Sequence, residues 1–221
     1  RHAQKMIVEM LVSDVPERVY KPDSELEHWR QWLGIGKPRF EARSQPLVDT
    51  SHPAMAVNLD ACIQCTRCVR ACREEQVNDV IGYAFRGEHS SIVFGMHDPM
   101  GQSTCVACGE CVQACPTGAL MPAREVGLQT IDKTVDSVCP FCGVGCLLTY
   151  HVRSNVIQFV TGKDGPSNHN RLCVKGRYGF DYAAHPQRLT KPLIRKPGVK
   201  KSADLTVDPA NWSDVYRAAT W

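Results

Sequence analysis

Cys62-Ile-Gln-Cys65-Thr-Arg-Cys68-Val-Arg-Ala-Cys72 and Cys105-Val-Ala-Cys108-Gly-Glu-Cys111-Val-Gln-Ala-Cys115-Pro116 are one device written twice, C-x2-C-x2-C-x3-C. Three cysteines at i, i+3 and i+6 on a tight loop can wrap three corners of one iron–sulfur cubane. The fourth falls at the start of the following helix, too far round to close the same cluster, and ligates the other one. On this rule one [4Fe–4S] cluster takes Cys62, Cys65, Cys68 and Cys115, and a second takes Cys72, Cys105, Cys108 and Cys111.

The run is the bacterial ferredoxin signature. Pro116 completes it in the second copy; Arg73 stands in its place in the first, which weakens a turn preference and leaves the ligand set whole. Between the copies, Ile81 to Phe94 carries Tyr83, Phe85, Ile92, Val93 and Phe94 around Gly87 and Ser90, the pattern of an inserted β-hairpin. Two other chemistries use clustered cysteines. Zinc knuckles present two separated C-x2-C pairs rather than two identical four-cysteine runs. Twelve cysteines could also form disulfides, but disulfide scaffolds scatter theirs through small loop-rich folds, and here eleven fall into three tight groups in 221 residues.

The remaining four, Cys139, Cys142, Cys146 and Cys173, are spaced C-x2-C-x3-C and then a long gap. Gly143 and Gly145 let backbone approach sulfur closely. This describes a third, self-contained cubane, although the spacing alone also admits a structural zinc with four thiolate ligands. Residues 123–137 read as a linker into a strand, Leu147 to Val160 as two strands around Ser154-Asn155, and residues 162–172 as a polar loop.

The flanks carry no cysteine. Met6, Ile7, Met10 and Leu11 predict a helix ending near Ser13, before Pro16. Ser24 and Glu27 form a capping box for a second, with Leu26, Trp29, Trp32 and Leu33 on its packing side and Gly34 ending it. The chain turns basic and proline-punctuated from His185 through Lys201, where Arg188, Lys191, Arg195, Lys196, Lys200 and Lys201 suit a phosphate, a partner or a solvated loop, and a helix is expected over Trp212 to Trp221. His52, His89, His97 and His185 are read as surface or turn histidines, because the ligand sets are complete without them. Gly34-Ile-Gly36 is not a dinucleotide fingerprint, since no strand precedes it and a third glycine is missing.

A net charge of +3, small and scattered, argues against nucleic acid as a partner. Three clusters, each about −2 with its thiolates, would leave the loaded chain mildly acidic. No apolar run approaches the roughly 20 residues of a membrane span. The chain opens at Arg1 and ends at Trp221 with no signal peptide in view, and is expected to be a segment of a longer polypeptide.

Cys139-Pro-Phe-Cys142-Gly-Val-Gly-Cys146, followed by Asn170-Arg-Leu-Cys173-Val-Lys175-Gly176-Arg177, resembles the N-terminal cluster domain of molybdenum or tungsten bis-pterin oxidoreductases. With the double ferredoxin motif upstream, it is similar to the catalytic subunit of cytoplasmic NAD-dependent formate dehydrogenases, over residues from about His52 to about Lys196. The resemblance implies that Lys175 lies between the third cubane and one pterin of a Mo- or W-bis(pterin guanine dinucleotide). It further implies that formate is oxidised to CO2 at that metal, and that electrons leave through the clusters to a flavin- and NAD-binding iron–sulfur partner subunit. No cysteine follows Cys173, so the family's catalytic residues fall outside this segment and none is assigned. Another bis-pterin enzyme, a large-subunit relative from NADH:quinone oxidoreductase, or a carrier subunit without catalysis would use the same parts. The expected fold is α+β: a helical docking or spacer segment over 1–50, a two-cluster ferredoxin-like domain with the hairpin insertion over 51–125, and a small β-rich domain with the third cluster, opening the bis-pterin domain, over 133–221.

Overall fold

The two N-terminal helices form as α1 (His2–Ser13) and α2 (Glu25–Trp32). They belong to a computed structural model that describes residues 1–15, 20–44, 46–127, 130–186, 188–201 and 211–214. Ser24 caps α2, its hydroxyl accepting the Glu27 N–H at 3.2 Å. The reciprocal arm of the capping box is not made: the Ser24 N–H donates to the Lys21 carbonyl, and the Glu27 carboxylate accepts from Gln31. The tryptophans also depart from expectation. Successive helical residues turn by about 100°, so Leu26 and Leu33 share the buried stripe while Trp29 and Trp32 rotate away from it. Both tryptophans lie partly exposed, edge to face at 5.4 Å.

The cysteine-rich unit consists of β1 (Met55–Val57), α3 (Arg67–Arg70), the hairpin of β2 (Ile81–Ala84) and β3 (Ser91–Phe94), α4 (Glu110–Ala114) and β4 (Leu120–Pro122). β1 and β4 pair antiparallel, which closes the unit's two ends on each other. Val69 and Val112 follow the third cysteine of each run and pack in one core with Met55, Ile81, Phe94 and Leu120. The proline difference between the copies has a structural consequence. α4 stops at Ala114 because Pro116 has no N–H to give and its ring clashes with the preceding turn. With Arg73 in that place, the first helix runs on past Cys72 as a wide π-type turn, Ala71–Glu75.

The third cysteine group hangs on an antiparallel sheet of β5 (Lys133–Val138), β6 (Leu147–Arg153) and β7 (Val156–Gly162), followed by the short helix α5 (Val174–Tyr178). Ser154 and Asn155, at φ +50° and +61°, supply the two left-handed residues of a tight hairpin turn. Leu148, Val160, Leu172 and Phe180 pack around Cys139.

All of these elements lie in one compact unit, Arg1–Phe180; a second runs from Asp181 to Trp221. In the second, β8 (Leu193–Arg195) pairs antiparallel with β9 (Trp212–Asp214). This corrects the helix expected from Trp212: Ser and Asp side chains compete with helical backbone bonding, and the Leu193–Arg195 ladder satisfies these residues instead. Residues 215–221 lie outside the described ones. Among the described residues no helix is long and apolar enough to cross a membrane.

Candidate iron–sulfur centres

The duplicated runs fold alike. The second and fourth residues after the first cysteine are left-handed in both: Gln64 and Thr66 at φ +56° and +58°, Ala107 and Gly109 at +57° and +76°. Three of these four are not glycine, and each such residue costs about 1–2 kcal/mol. The alternation of hands turns successive N–H groups into a concavity suited to an anion. Gln64 N–H points at Cys62 Sγ and Ala107 N–H at Cys105 Sγ, each at 3.4 Å. Val80 N–H lies 3.3 Å from Cys72 Sγ, and Leu120 N–H 3.5 Å from Cys115 Sγ. These donors favour thiolate over thiol, as a metal-bound sulfur requires.

The fold brings the cysteines together across the repeat. Cys62, Cys65, Cys68 and Cys115 line a single cavity. Cys111 is buried where it senses the charges of Cys105, Cys108 and Cys72, and Cys105 senses Cys108 and Cys72. Cys68 is also within reach of Cys111, so the two groups adjoin. In the third group, Cys146 senses Cys139, Cys142 and Cys173; the Cys139 N–H donates to the Cys146 carbonyl at 2.8 Å and pins the loop, and Gly176 packs beside Cys139 Sγ.

All twelve thiols are free. Burial pushes the Cys62 thiol up to about 11, with the Gln64 N–H opposing and Cys115 and Cys65 adding to the rise. Burial likewise raises Cys68, Cys105 and Cys111. Left alone these sulfurs keep their protons, and metal binding would release them. Among the described residues no three Cys, His, Asp or Glu side chains converge on a point that would hold a single ion. Around the first group's cavity, thiols with N–H groups aimed at sulfur fit a cubane, which when bound would supply one-electron transfer at thiolate-held iron.

Arg177, four residues past Cys173, joins the third group to the second run. It is 2% exposed. Its Nε donates to the Cys108 carbonyl at 2.9 Å, Nη1 to Gln113 Oε1 at 2.8 Å and Nη2 to Glu110 Oε1 at 2.5 Å. Glu110 Oε1 also accepts the Leu172 N–H at 3.2 Å, and Gln113 bridges the Gly162 N–H and the Asn170 carbonyl. Gly109 is demanded twice here, by its left-handed backbone and because a Cβ would strike Arg177 and stand 2.6 Å from Tyr178 Oη. On the outer side Arg171 pairs with Glu75, which the prolonged first helix presents.

Within the long gap before Cys173, the loop is gathered on Asn168. Asn168, buried, donates to the carbonyls of Leu147, Lys163 and Arg171 and accepts the Leu147 N–H, all at 3.0–3.2 Å. Replacing Asn168 with alanine is expected to cost about 2–3 kcal/mol, because its two amide hydrogens, shared among three carbonyls, and its oxygen make up to three bonds worth roughly 1 kcal/mol each. Urea unfolding would show the loss, and iron at the third group should be the first to leave.

Lys175 is exposed on α5, two residues past Cys173. His52 fulfils the turn reading and is also buried: its Nδ1 accepts the Ala54 N–H at 3.1 Å, and burial lowers its pKa. Arg43, which no motif singled out, spans Asp14 at 3.0 Å and the Cys62 carbonyl at 3.0 Å, tying the end of α1 to the first ligand loop. Sequence reasoning also passed over Glu110, Gln113 and Tyr178. The only local signal was the position of Arg177 one helical turn after Cys173, because its partners lie more than sixty residues away.

Residues 132–185 match the molybdopterin oxidoreductase Fe4S4 domain, and residues 52–121 match the ferredoxin-like domain of NADH-quinone oxidoreductase subunit 3. The NADPH-Fe(3+) oxidoreductase subunit alpha of Geobacter sulfurreducens is 32% identical over 201 residues, 88% of this chain and 24% of that one. A subunit of the NADH-quinone oxidoreductase of Rhizobium meliloti is 33% identical over 199 residues, 87% and 22%. A Staphylococcus haemolyticus protein provisionally named a formate dehydrogenase is 28% identical over 218 residues, 80% and 22%. The chain thus spans less than a quarter of the length of these relatives. A crystal structure of an NAD+-reducing [NiFe]-hydrogenase shares the fold with a TM-score of 0.53 at 24% identity, over 60% of this chain and 58% of that one.

Proposed function

Two iron–sulfur domains of oxidoreductase type in one chain are the premise, and from it we propose that this segment relays electrons through three [4Fe–4S] clusters in a formate dehydrogenase catalytic subunit. The observation that carries the relay is the closure of Cys62, Cys65, Cys68 and Cys115 on one cavity, with the fourth thiol supplied by the other run. The second cluster takes Cys72, Cys105, Cys108 and Cys111, and the third Cys139, Cys142, Cys146 and Cys173. The chain's own residues hold the sulfurs, aim N–H donors at them, and weld the second and third sites through Arg177. A potential is tuned by such donors, by burial and by local charge.

The formate reading is supported by Cys139-Pro-Phe-Cys142-Gly-Val-Gly-Cys146 and by Lys175 two residues past the last thiol. There the ammonium would face a Mo- or W-bis-pterin held by the rest of the subunit and offset its phosphate charge. Electrons would pass on to a flavin- and NAD-binding partner in the cytoplasm. A second reading, a subunit of an NAD(P)H-dependent oxidoreductase without formate chemistry, is favoured by the match of residues 52–121.

Native protein purified without oxygen is expected to carry about 12 Fe and about 12 labile sulfides in this segment, together with Mo or W, and formate should bleach its visible absorbance. About 8 Fe with about one Zn would make the third group structural and sink the formate reading. Full iron with neither Mo nor W, and bleaching by NADH or NADPH but not formate, would replace it with the second.

A further inference from the structure

Tyr178 is the last residue of α5, the helix opened by Cys173, yet its ring packs against the core of the double-run unit, as Cys105 and Ala107 also do. Its hydroxyl is fully buried and has no hydrogen-bond partner. A buried hydroxyl without a partner loses about 1–3 kcal/mol, so an orphan among free thiols points to an acceptor that a metal centre would bring. The charged and titratable groups facing it are Arg177, which holds the phenol's own helix, and the thiols of Cys105, Cys108 and Cys111. Space for the phenol exists because residue 109 is glycine: a Cβ there would stand 2.6 Å from the oxygen. The equivalent position of the first run is Thr66, so the two otherwise matching loops differ at the spot where a phenol could enter.

We infer that Tyr178 donates a hydrogen bond to sulfur of the cluster held by Cys72, Cys105, Cys108 and Cys111, and raises that cluster's potential. The inference rests on the three-cluster reading. Adding one electron places more negative charge on cluster sulfur, so a fixed O–H donor stabilises the reduced form more than the oxidised one. Tyr178 is supplied by one site to tune another, since its backbone follows the third group and its hydroxyl lies by the thiols of the second.

The test is a dithionite titration of the anaerobic full-length native protein, followed by electron paramagnetic resonance, with iron counted in every sample. Tyr178→Phe should retain all its iron and move one cluster signal downward by a tenfold change in its reduced-to-oxidised ratio, about 59 mV for one electron, leaving the others in place. Replacing Tyr178 with a fluorinated tyrosine, the same shape and a stronger donor, should move that signal upward, which a purely structural role would not do. Full iron with no movement of that signal in either variant, or equal movement of all three, overturns the inference. Too little iron in the unaltered protein would instead bring down the cluster reading itself.

Discussion

Replacing Arg177 with alanine will destabilise the 1–180 unit by about 3–5 kcal/mol, the cost of leaving a buried charge without its partner. The guanidinium is 2% exposed and holds Glu110 at 2.5 Å, the Cys108 carbonyl and Gln113. Removing it strands the Glu110 carboxylate without its cation, leaving the Leu172 N–H on Oε1. With a urea slope of about 1–3 kcal/mol per molar, the anaerobic unfolding midpoint should fall by about 1 M or more. Arg177→Lys restores charge without the three-way fork and should recover only part of the loss. Glu110→Gln removes the charge and keeps a carbonyl for Leu172, and the double variant Arg177→Ala with Glu110→Gln should cost less than the two separate losses added together. A midpoint within about 0.3 M of the unaltered chain for Arg177→Ala, roughly what a surface change of about 0.5 kcal/mol gives, would mean this network does not hold the two sites together.

Cys115→Ser should remove iron from the first group rather than from its own run. Cys115 follows α4 at the Pro116 turn, faces the cavity of Cys62, Cys65 and Cys68, and receives the Leu120 N–H. Iron should therefore fall from about 12 to about 8. The pairing is read from double variants. Cys115→Ser combined with Cys62→Ser should lose no more iron than either alone. Combined with Cys105→Ser it should fall to about 4, because two clusters are then hit. The opposite pattern would mean that each run closes its own cluster. The loss also strips packing, since Cys68, Cys72 and Cys111 form part of the core with Val69 and Val112. Amide hydrogen exchange of the chelated protein, read by mass spectrometry of its peptides, should accordingly show residues 55–122 losing protection before the β5–β7 sheet does.

Much of this molecule is local in origin and can be read locally. The two C-x2-C-x2-C-x3-C runs name their candidate ligands and suggest the exchange of the fourth, because loop geometry depends on residues within about ten of one another. The α1 and α2 boundaries, the Ile81–Phe94 hairpin and the Ser154-Asn155 turn follow from periodicity, one cap and turn chemistry of the same range. Even the effect of Arg73 in place of proline is a local rule, although its outcome, a π-type turn that lifts Glu75 toward Arg171, is seen only in the fold. Short segments fared worse. Trp212–Asp214 became a strand because Leu193–Arg195 was there to pair with it, and no window around Trp212 contains that information.

The sequence by itself determined which thiols are candidates to hold iron and that they fall into three groups along the chain. Thiol chemistry, the i, i+3, i+6 spacing of the two runs and the i, i+3, i+7 spacing of the third group are properties of the chain, whatever else it packs against. Tertiary structure alone decided how those groups communicate. Arg177 meets Glu110, Cys108 and Gln113 across more than sixty residues, and Tyr178 enters the space that Gly109 leaves beside a different group's thiols. Such contacts depend on two separately folded surfaces meeting, and burial then gives them their strength by excluding water from the charges and dipoles involved. A helix that shows only a basic residue and a tyrosine after a cysteine says nothing of what it will lie against.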